Sequence, residues 1–190
     1  IETFRPAADR ISRDLEALFI LQPPRYQKPE FDSDPDPFRM VGYERTSGVG
    51  IGVAGTGTVS VLTFTSTAHV TLGPGDRPGV VRVSYYTKET PAGAYDLYRR
   101  QDPWMTAPEP DGMNDAVACG GQLLCRGITG FEIEYETQDS GERLKNWDSE
   151  SEDTGFSTPA RVRVRLSRGP ENSSGVFAFT VNLMQQRSPL

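Results

Sequence analysis

IETFRPAADRISRDLEALFILQ, residues 1–22, is the stretch that sets the architecture. Phe4, Ala8, Ile11, Leu15 and Leu18 recur at steps of four and three, which places one apolar stripe along a helix face. Arg5, Asp9, Arg10, Ser12, Arg13, Asp14 and Glu16 cover the other sides. From Pro6 to Gln22 such a rod is about 25 Å long. Phe19-Ile20-Leu21 is apolar on every side, so that end is expected in the core, and Pro23-Pro24 stops the helix. Pro6 is tolerated only if it stands in the first turn. Everything beyond Pro24 reads as strands and turns, so a sheet must bury the helix stripe. The expectation is an α+β chain in one folding unit: the helix over 1–22 and a β-rich globular part over 23–190.

The bulk composition agrees. The chain has 190 residues, enough for a real core, with 19 glycines and 15 prolines. That mix suits loop-rich β structure better than a helix bundle. A net charge of −6 gives no basic face for nucleic acid or anionic lipid. No apolar run approaches the roughly 18 residues of a membrane span. The chain begins at Ile, so a missing leader carries no information.

Strand patterns follow one another closely. Met40–Glu44 reads as a short strand. Val59–Thr65, Val80–Thr87 and Tyr95–Arg100 are spaced as an antiparallel meander. In Ile128–Thr137, Phe131, Ile133 and Tyr135 alternate with Glu132, Glu134 and Glu136. In Ala160–Ser167, Val162, Val164 and Leu166 alternate with Arg161, Arg163 and Arg165. If those two strands pair, glutamates and arginines face each other across the ladder. That is a solvated sheet face first, and an anion- or partner-binding stripe second. The last strand is Val176–Leu183.

Several fragments invite a chemical reading, and each has a plainer one. Asp32, Asp34 and Asp36 alternate as in a calcium loop, but Pro35 and Pro37 and the missing Gly and Glu spoil the match. A solvated acidic loop is the default. The glycines at 48, 50, 52, 55 and 57 are followed by the strand-like Thr58–Ser66, not by the helix a dinucleotide fingerprint requires. His69, Asp102 and Ser140 share the chain order of a chymotrypsin-like triad. Ser140 lacks the glycines that shape an oxyanion loop, and Gln138–Gly141 reads as a hairpin turn. Trp104 and Trp147 sit in loops, where they stack on a sugar or anchor the loop to the sheet. Cys119 and Cys125 lie six apart around Gly120-Gly121. This favours a disulfide and an oxidising compartment, with two reduced buried thiols as the other reading. One His and no second Cys pair argue against a zinc site. These readings assign no catalytic residue, metal or cofactor.

Taken in order, four segments resemble the minor pseudopilin J family of bacterial type II secretion systems. Asp9-Arg10-Ile11-Ser12-Arg13-Asp14-Leu15 looks like that family's helix before the globular domain. Val80–Tyr86 with Tyr95-Asp-Leu-Tyr-Arg-Arg looks like its paired strands. Leu123-Leu124-Cys125-Arg126-Gly127-Ile128 through Tyr135 looks like its following segment. Trp147-Asp148-Ser149 and Pro159–Val164 look like its ending. Gly48–Gly57 and Asp102–Cys119 depart from the pattern as insertions. The ordered set, not any one piece, carries the resemblance.

The resemblance implies a pilin-like α+β fold and a non-enzymatic role. A leader and an apolar anchor helix would precede Ile1, holding the protein in the inner membrane with its globular domain in the periplasm. It implies partnership with the I- and K-type minor pseudopilins at the pseudopilus tip, to initiate assembly and support protein export. Ile1, Phe4, Ala8 and Ile11, nearest that anchor, are the expected partner-packing residues. Leu15, Leu18 and Phe19 are expected in the domain's own core. A helix that truly begins at Pro6 would carry no longer spine. Two other readings stand beside it: a minor pilin of a type IV pilus or competence system, and a secreted carbohydrate-binding β module.

Overall fold

A computed structural model describes residues 4–20, 36–46, 58–70, 79–103, 120–169 and 175–188. The helix α1 spans Arg5–Glu16, with Phe4 at its N-cap and proline in its first turn. Its strands are β1 (Val41–Thr46), β2 (Thr58–Ser66), β3 (Val81–Glu89), β4 (Tyr95–Pro103) and β5 (Gln122–Ile128). They continue as β6 (Gly130–Glu136), β7 (Arg143–Leu144), β8 (Trp147–Asp148), β9 (Arg161–Arg168) and β10 (Gly175–Asn182).

The main sheet runs in the order β10-β9-β6-β2-β3-β4-β5, with β1, β7 and β8 attached to it. Its pairs are antiparallel except β2 with β6, which run parallel at Val59↔Phe131. The seven strands curl into a half-barrel. This corrects the α+β, pilin-like expectation of a helix packed on an antiparallel sheet. The chain is mostly β, a curled sheet with one short α-helix. α1 meets chiefly the two end strands, β10 and β5. Phe4 lies 6.4 Å, ring to ring, from Phe177 of β10.

The helix is shorter than its apolar pattern implied, and the reason is local. Leu18 N–H still donates back to Leu15 O at 3.1 Å, but beyond it the backbone bonds to the end of β2. Thr67 N–H donates to Ala17 O at 2.9 Å, and Phe19 N–H donates to Thr65 O at 2.9 Å. The Ser66 hydroxyl donates to Asp14 O and Ala17 O, taking carbonyls that a helix end leaves orphaned. Leu18 then bridges Ser66 as a strand residue. Alternation replaces helical period: Leu18 and Ile20 are buried, while half-buried Phe19 packs edge-on to Phe38 at 4.9 Å.

The core follows the strand alternation. Val81, Val83 and Tyr85, Phe131, Ile133 and Tyr135, and Val162, Val164 and Leu166 all join Ile11, Leu15 and Leu18 in one buried cluster. β6 and β9 do pair, and Glu132, Glu134 and Glu136 stand opposite Arg165, Arg163 and Arg161. β5 was not foreseen as a separate strand. Its Leu-Leu-Cys-Arg-Gly run lacks alternation, and its pairing with β4 carries register shifts.

The chain's tail is tied down by a second constraint. Buried Arg187 donates from Nη1 to Asp36 Oδ2 at 2.8 Å and from Nε to Phe156 O at 2.7 Å, and from Nη2 to Ser149 O. Asp36 also accepts from Phe38 N–H at 2.8 Å. Asp36 is therefore a buried structural anion and not part of a solvated acidic loop; Asp32 and Asp34 lie outside the described residues.

One core contact is unusually close. A Cβ at Gly42 would fall 1.7 Å from the Tyr135 hydroxyl oxygen. That hydroxyl is buried and has no hydrogen-bond partner among the described residues. Burial pushes the Tyr135 phenol well above its ordinary pKa. The unfolded chain therefore ionises this group above about pH 10 while the folded chain keeps its proton, so stability falls as pH rises. Tyr135→Phe removes an unsatisfied polar group, and we expect unfolding stability in urea to hold or rise by about 1 kcal/mol. Its alkaline loss of stability should be shallower than wild type by about 1.4 kcal/mol per pH unit. Gly42→Ala should lose at least about 1–3 kcal/mol through overpacking. Equal stability of Gly42→Ala and wild type would contradict the packing described.

Candidate functional site

The helix is positioned by one carboxylate. Asp14 follows Ile11 by three residues, so it turns toward the same interior as the core stripe. It is fully buried. Arg99 of β4 grips it with a two-pronged contact, Nε to Oδ2 at 2.5 Å and Nη2 to Oδ1 at 3.2 Å. The Tyr85 hydroxyl of β3 donates to Oδ2 at 2.5 Å. Arg10, one helical turn back, donates to Oδ1 and also to Ala68 O. Such bidentate, charge-assisted contacts are the strong class of hydrogen bond. Burial, and then the Asp14 charge, raise the Tyr85 pKa well above normal, which keeps the phenol protonated as a donor.

The network continues outward. Arg99 Nη1 donates to Gln101 Oε1 at 3.1 Å. The Gln101 amide in turn clamps Val70, accepting from its N–H at 3.0 Å and donating to its carbonyl at 2.9 Å. Helix, β3, β4 and the 66–70 segment are thus tied at one point. Asp14, Arg99 and Tyr85 are closed to solvent. Their arrangement holds; it offers no reacting atom to a substrate.

The accessible feature is beside this junction. A groove of about 390 Å3 runs between the outer flank of α1 and β5, lined by Pro6, Asp9, Arg10, Arg13, Gln122, Leu123 and Leu124. Asp9 and Arg13 are exposed, and Leu123 and Leu124 are half-buried. An apolar floor with a mainly basic rim suits an amphipathic helix or strand of a partner.

The residues singled out from sequence are placed as follows. Phe4, Ala8 and Ile11 lie in the chain's own interior, each at most 5% exposed, while Ile1 lies outside the described residues. Any partner on this helix therefore meets its outer flank. Cys125 is a free, buried thiol near the Arg168 guanidinium; Cys119 lies outside the described residues. Burial raises the Cys125 pKa. Trp147 is 2% exposed and donates to Ser157 O at 3.0 Å, with its ring 6.0 Å from Tyr135. It is a core anchor, not a sugar platform; Trp104 is outside the described residues. Asp102 is engaged by Arg100 at 2.7 Å, and Ser140 shares its hydroxyl with Thr137 at 2.8 Å. Neither of these contacts involves His69. The glycine run at 48–57 falls outside the described residues. No group of acids, histidines or cysteines among the described residues has metal-binding geometry.

The junction residues were not legible as a site. Asp14 read as part of the solvated face, because partners 71 and 85 residues away leave no local signal. The pattern's one hint is an acid directly before the core residue Leu15. No protein-family model matches this sequence, and no curated protein matches it.

Asp14→Ala leaves Arg99 buried without its anion, a loss of about 3–5 kcal/mol. Asp14→Asn keeps the size but not the charge and should fall between. Urea unfolding checks both. A loss under about 1 kcal/mol for Asp14→Ala would show that the junction does not hold the helix.

Proposed function

We propose that this chain is a non-catalytic assembly subunit of the minor pseudopilin J kind. It would work with I- and K-type partners at the tip of a type II secretion pseudopilus, from the periplasmic side of the inner membrane. The observation that carries the reading is convergence. Asp14, Tyr85 and Arg99 come from three separate stretches that resemble the family, and all three meet at one buried carboxylate. Residues that look family-like in sequence are thus the ones that lock the helix to the sheet.

The burial of Phe4, Ala8 and Ile11 supports a different contact from the helix stripe. α1 starts at Arg5, and its apolar stripe is consumed internally. The groove between α1 and β5 then becomes the surface for a neighbouring subunit. Leu123 and Leu124 offer apolar area, and Arg10 and Arg13 offer charge. Rim charges set specificity and encounter more than total affinity. Contact through Asp9, Arg13, Leu123 and Leu124 leaves Asp14, Arg99 and Tyr85 covered, whereas Arg10 belongs to both the groove and the junction.

Two variants test this. Asp9→Arg combined with Arg13→Glu reverses exposed charges only, so folding stability should stay within about 0.5 kcal/mol of wild type. Its co-purification with co-expressed I- and K-type subunits should drop about tenfold, equivalent to about 1.4 kcal/mol. Ile11→Asp should instead unfold the chain itself. If wild type co-purifies with neither subunit, the assembly reading fails. If the charge-reversed variant assembles as wild type does, the groove is not the contact.

A further inference from the structure

The two ends of the sheet are built differently. β5 is guarded: its pairing with β4 contains register shifts, and it carries the exposed Arg126. Its carbonyls at Arg126 and Gly127 accept from the Arg168 guanidinium of β9. Bulges, charges and capped carbonyls are the usual protection of an edge. Among the described residues, β10 has none of these. Gly175–Asn182 reads GVFAFTVN, with no charge and no proline. It pairs with β9 over eight residues in unbroken register. Among the described residues, no strand lies on its other side.

The register says which groups face outward. Leu183 N–H donates to Ala160 O just past the end of the ladder. In an antiparallel pair, hydrogen-bonded residues alternate. Counting back two at a time, Val181, Phe179, Phe177 and Gly175 bond to β9. Val176, Ala178, Thr180 and Asn182 therefore turn their N–H and C=O groups to the open edge. Their side chains lie on the solvent face, and Val176 is 40% exposed there.

The surroundings set the chemistry of what would bind. Arg165, Arg163 and Arg161 stand opposite Ala178, Thr180 and Asn182. These guanidiniums are half exposed. Arg163 and Arg165 hold their glutamates on β6 only at 3.6 and 3.8 Å, looser than Arg161 at 2.9 Å. Between them and the open edge stand only the small side chains of Ala178 and Thr180. On the inner face, Phe177 and Phe179 are half-buried, their rings 6.0 Å apart. Apolar side chains on the inner face of an added strand would cover them.

We propose that β10 receives an extended segment of a partner protein as an added strand, alternating apolar and acidic residues. Its backbone pairs with Val176, Ala178, Thr180 and Asn182, its acids reach Arg163 and Arg165 over the small side chains, and its apolar residues cap Phe177 and Phe179. A second copy of β10 does not fit this description. It brings no acid and faces the arginine row with another arginine row. This surface is separate from the α1–β5 groove and stands whether or not the pseudopilin reading holds.

The test uses two synthetic peptides, Thr-Val-Glu-Val-Glu-Val-Thr and its counterpart with Lys for each Glu, titrated against the whole chain by fluorescence anisotropy. The acidic peptide should bind at least about tenfold tighter than the basic one, and the gap should narrow as salt is raised. Ala178→Pro removes an N–H that the β9 ladder does not use, so it should abolish binding at unchanged thermal stability. Arg163→Glu with Arg165→Glu should reverse the peptide preference, and that reversal decides the matter if Ala178→Pro fails to fold. Equal binding of both peptides, or wild-type binding by Ala178→Pro, overturns the proposal. So does a wild-type dimer without peptide that Ala178→Pro dissolves, since the occupant would then be a second copy.

Discussion

The seating of the helix on the sheet depends on one buried carboxylate being matched. Asp14 sits where no water reaches it, and an isolated charge there would cost several kcal/mol. Arg99, Tyr85 and Arg10 offset that cost only when α1, β3 and β4 stand in one relative position. Apolar packing of Ile11 and Leu15 draws the helix into the half-barrel but tolerates small slides along it. The two-pronged grip of Arg99 does not. Hydrophobic burial supplies the drive, and the ion cluster supplies the register.

The same logic recurs at two other seams. At each of these seams a single arginine ties distant segments together. Arg168 reaches from the end of β9 to carbonyls of β5 and lies 5.4 Å from the centre of the Phe4 ring. Arg187 ties the final residues to Asp36 and to carbonyls of Phe156 and Ser149. Guanidinium is suited to this use because its fork can satisfy several oxygens at once and never loses its charge. The exposed arginines of β9 contribute far less. Their pairs with β6 are solvated, and pairs of that kind are worth about 0–1 kcal/mol.

How much of this the sequence disclosed divides along range of interaction. Alternation in 130–136 and 161–168 was legible because a strand's two faces are written at a period of two, and the Glu–Arg ladder followed from it. The apolar stripe of α1 was legible for the same reason at a period near four. The helix end was not, because Leu18 and Ile20 are apolar under either geometry and only the bonds to Thr65 and Thr67 choose the strand. Asp14 and Asp36 were assigned to solvent because polar residues in those contexts usually face outward, and Trp147 was left open between a sugar platform and a loop anchor. Each is buried by a partner far away in sequence. The half-barrel itself was hidden too. The parallel β2–β6 join and the register shifts in β5 leave no local pattern either.

These placements bear on where partners can act. The described part of the apolar helix stripe is spent on the chain's own core, so an association of the proposed kind would use other groups. Two kinds remain here. Beside α1, half-buried leucines are flanked by arginine, and there side-chain complementarity would govern recognition. Along β10, main-chain donors and acceptors face outward beside an arginine row, and there the backbone would supply affinity while Arg163 and Arg165 choose the sign of charge. Neither surface touches Asp14, Arg99 or Tyr85. Arg10 alone lines the groove and also bonds Asp14; the other groove and β10 residues are separate from those that fix the helix.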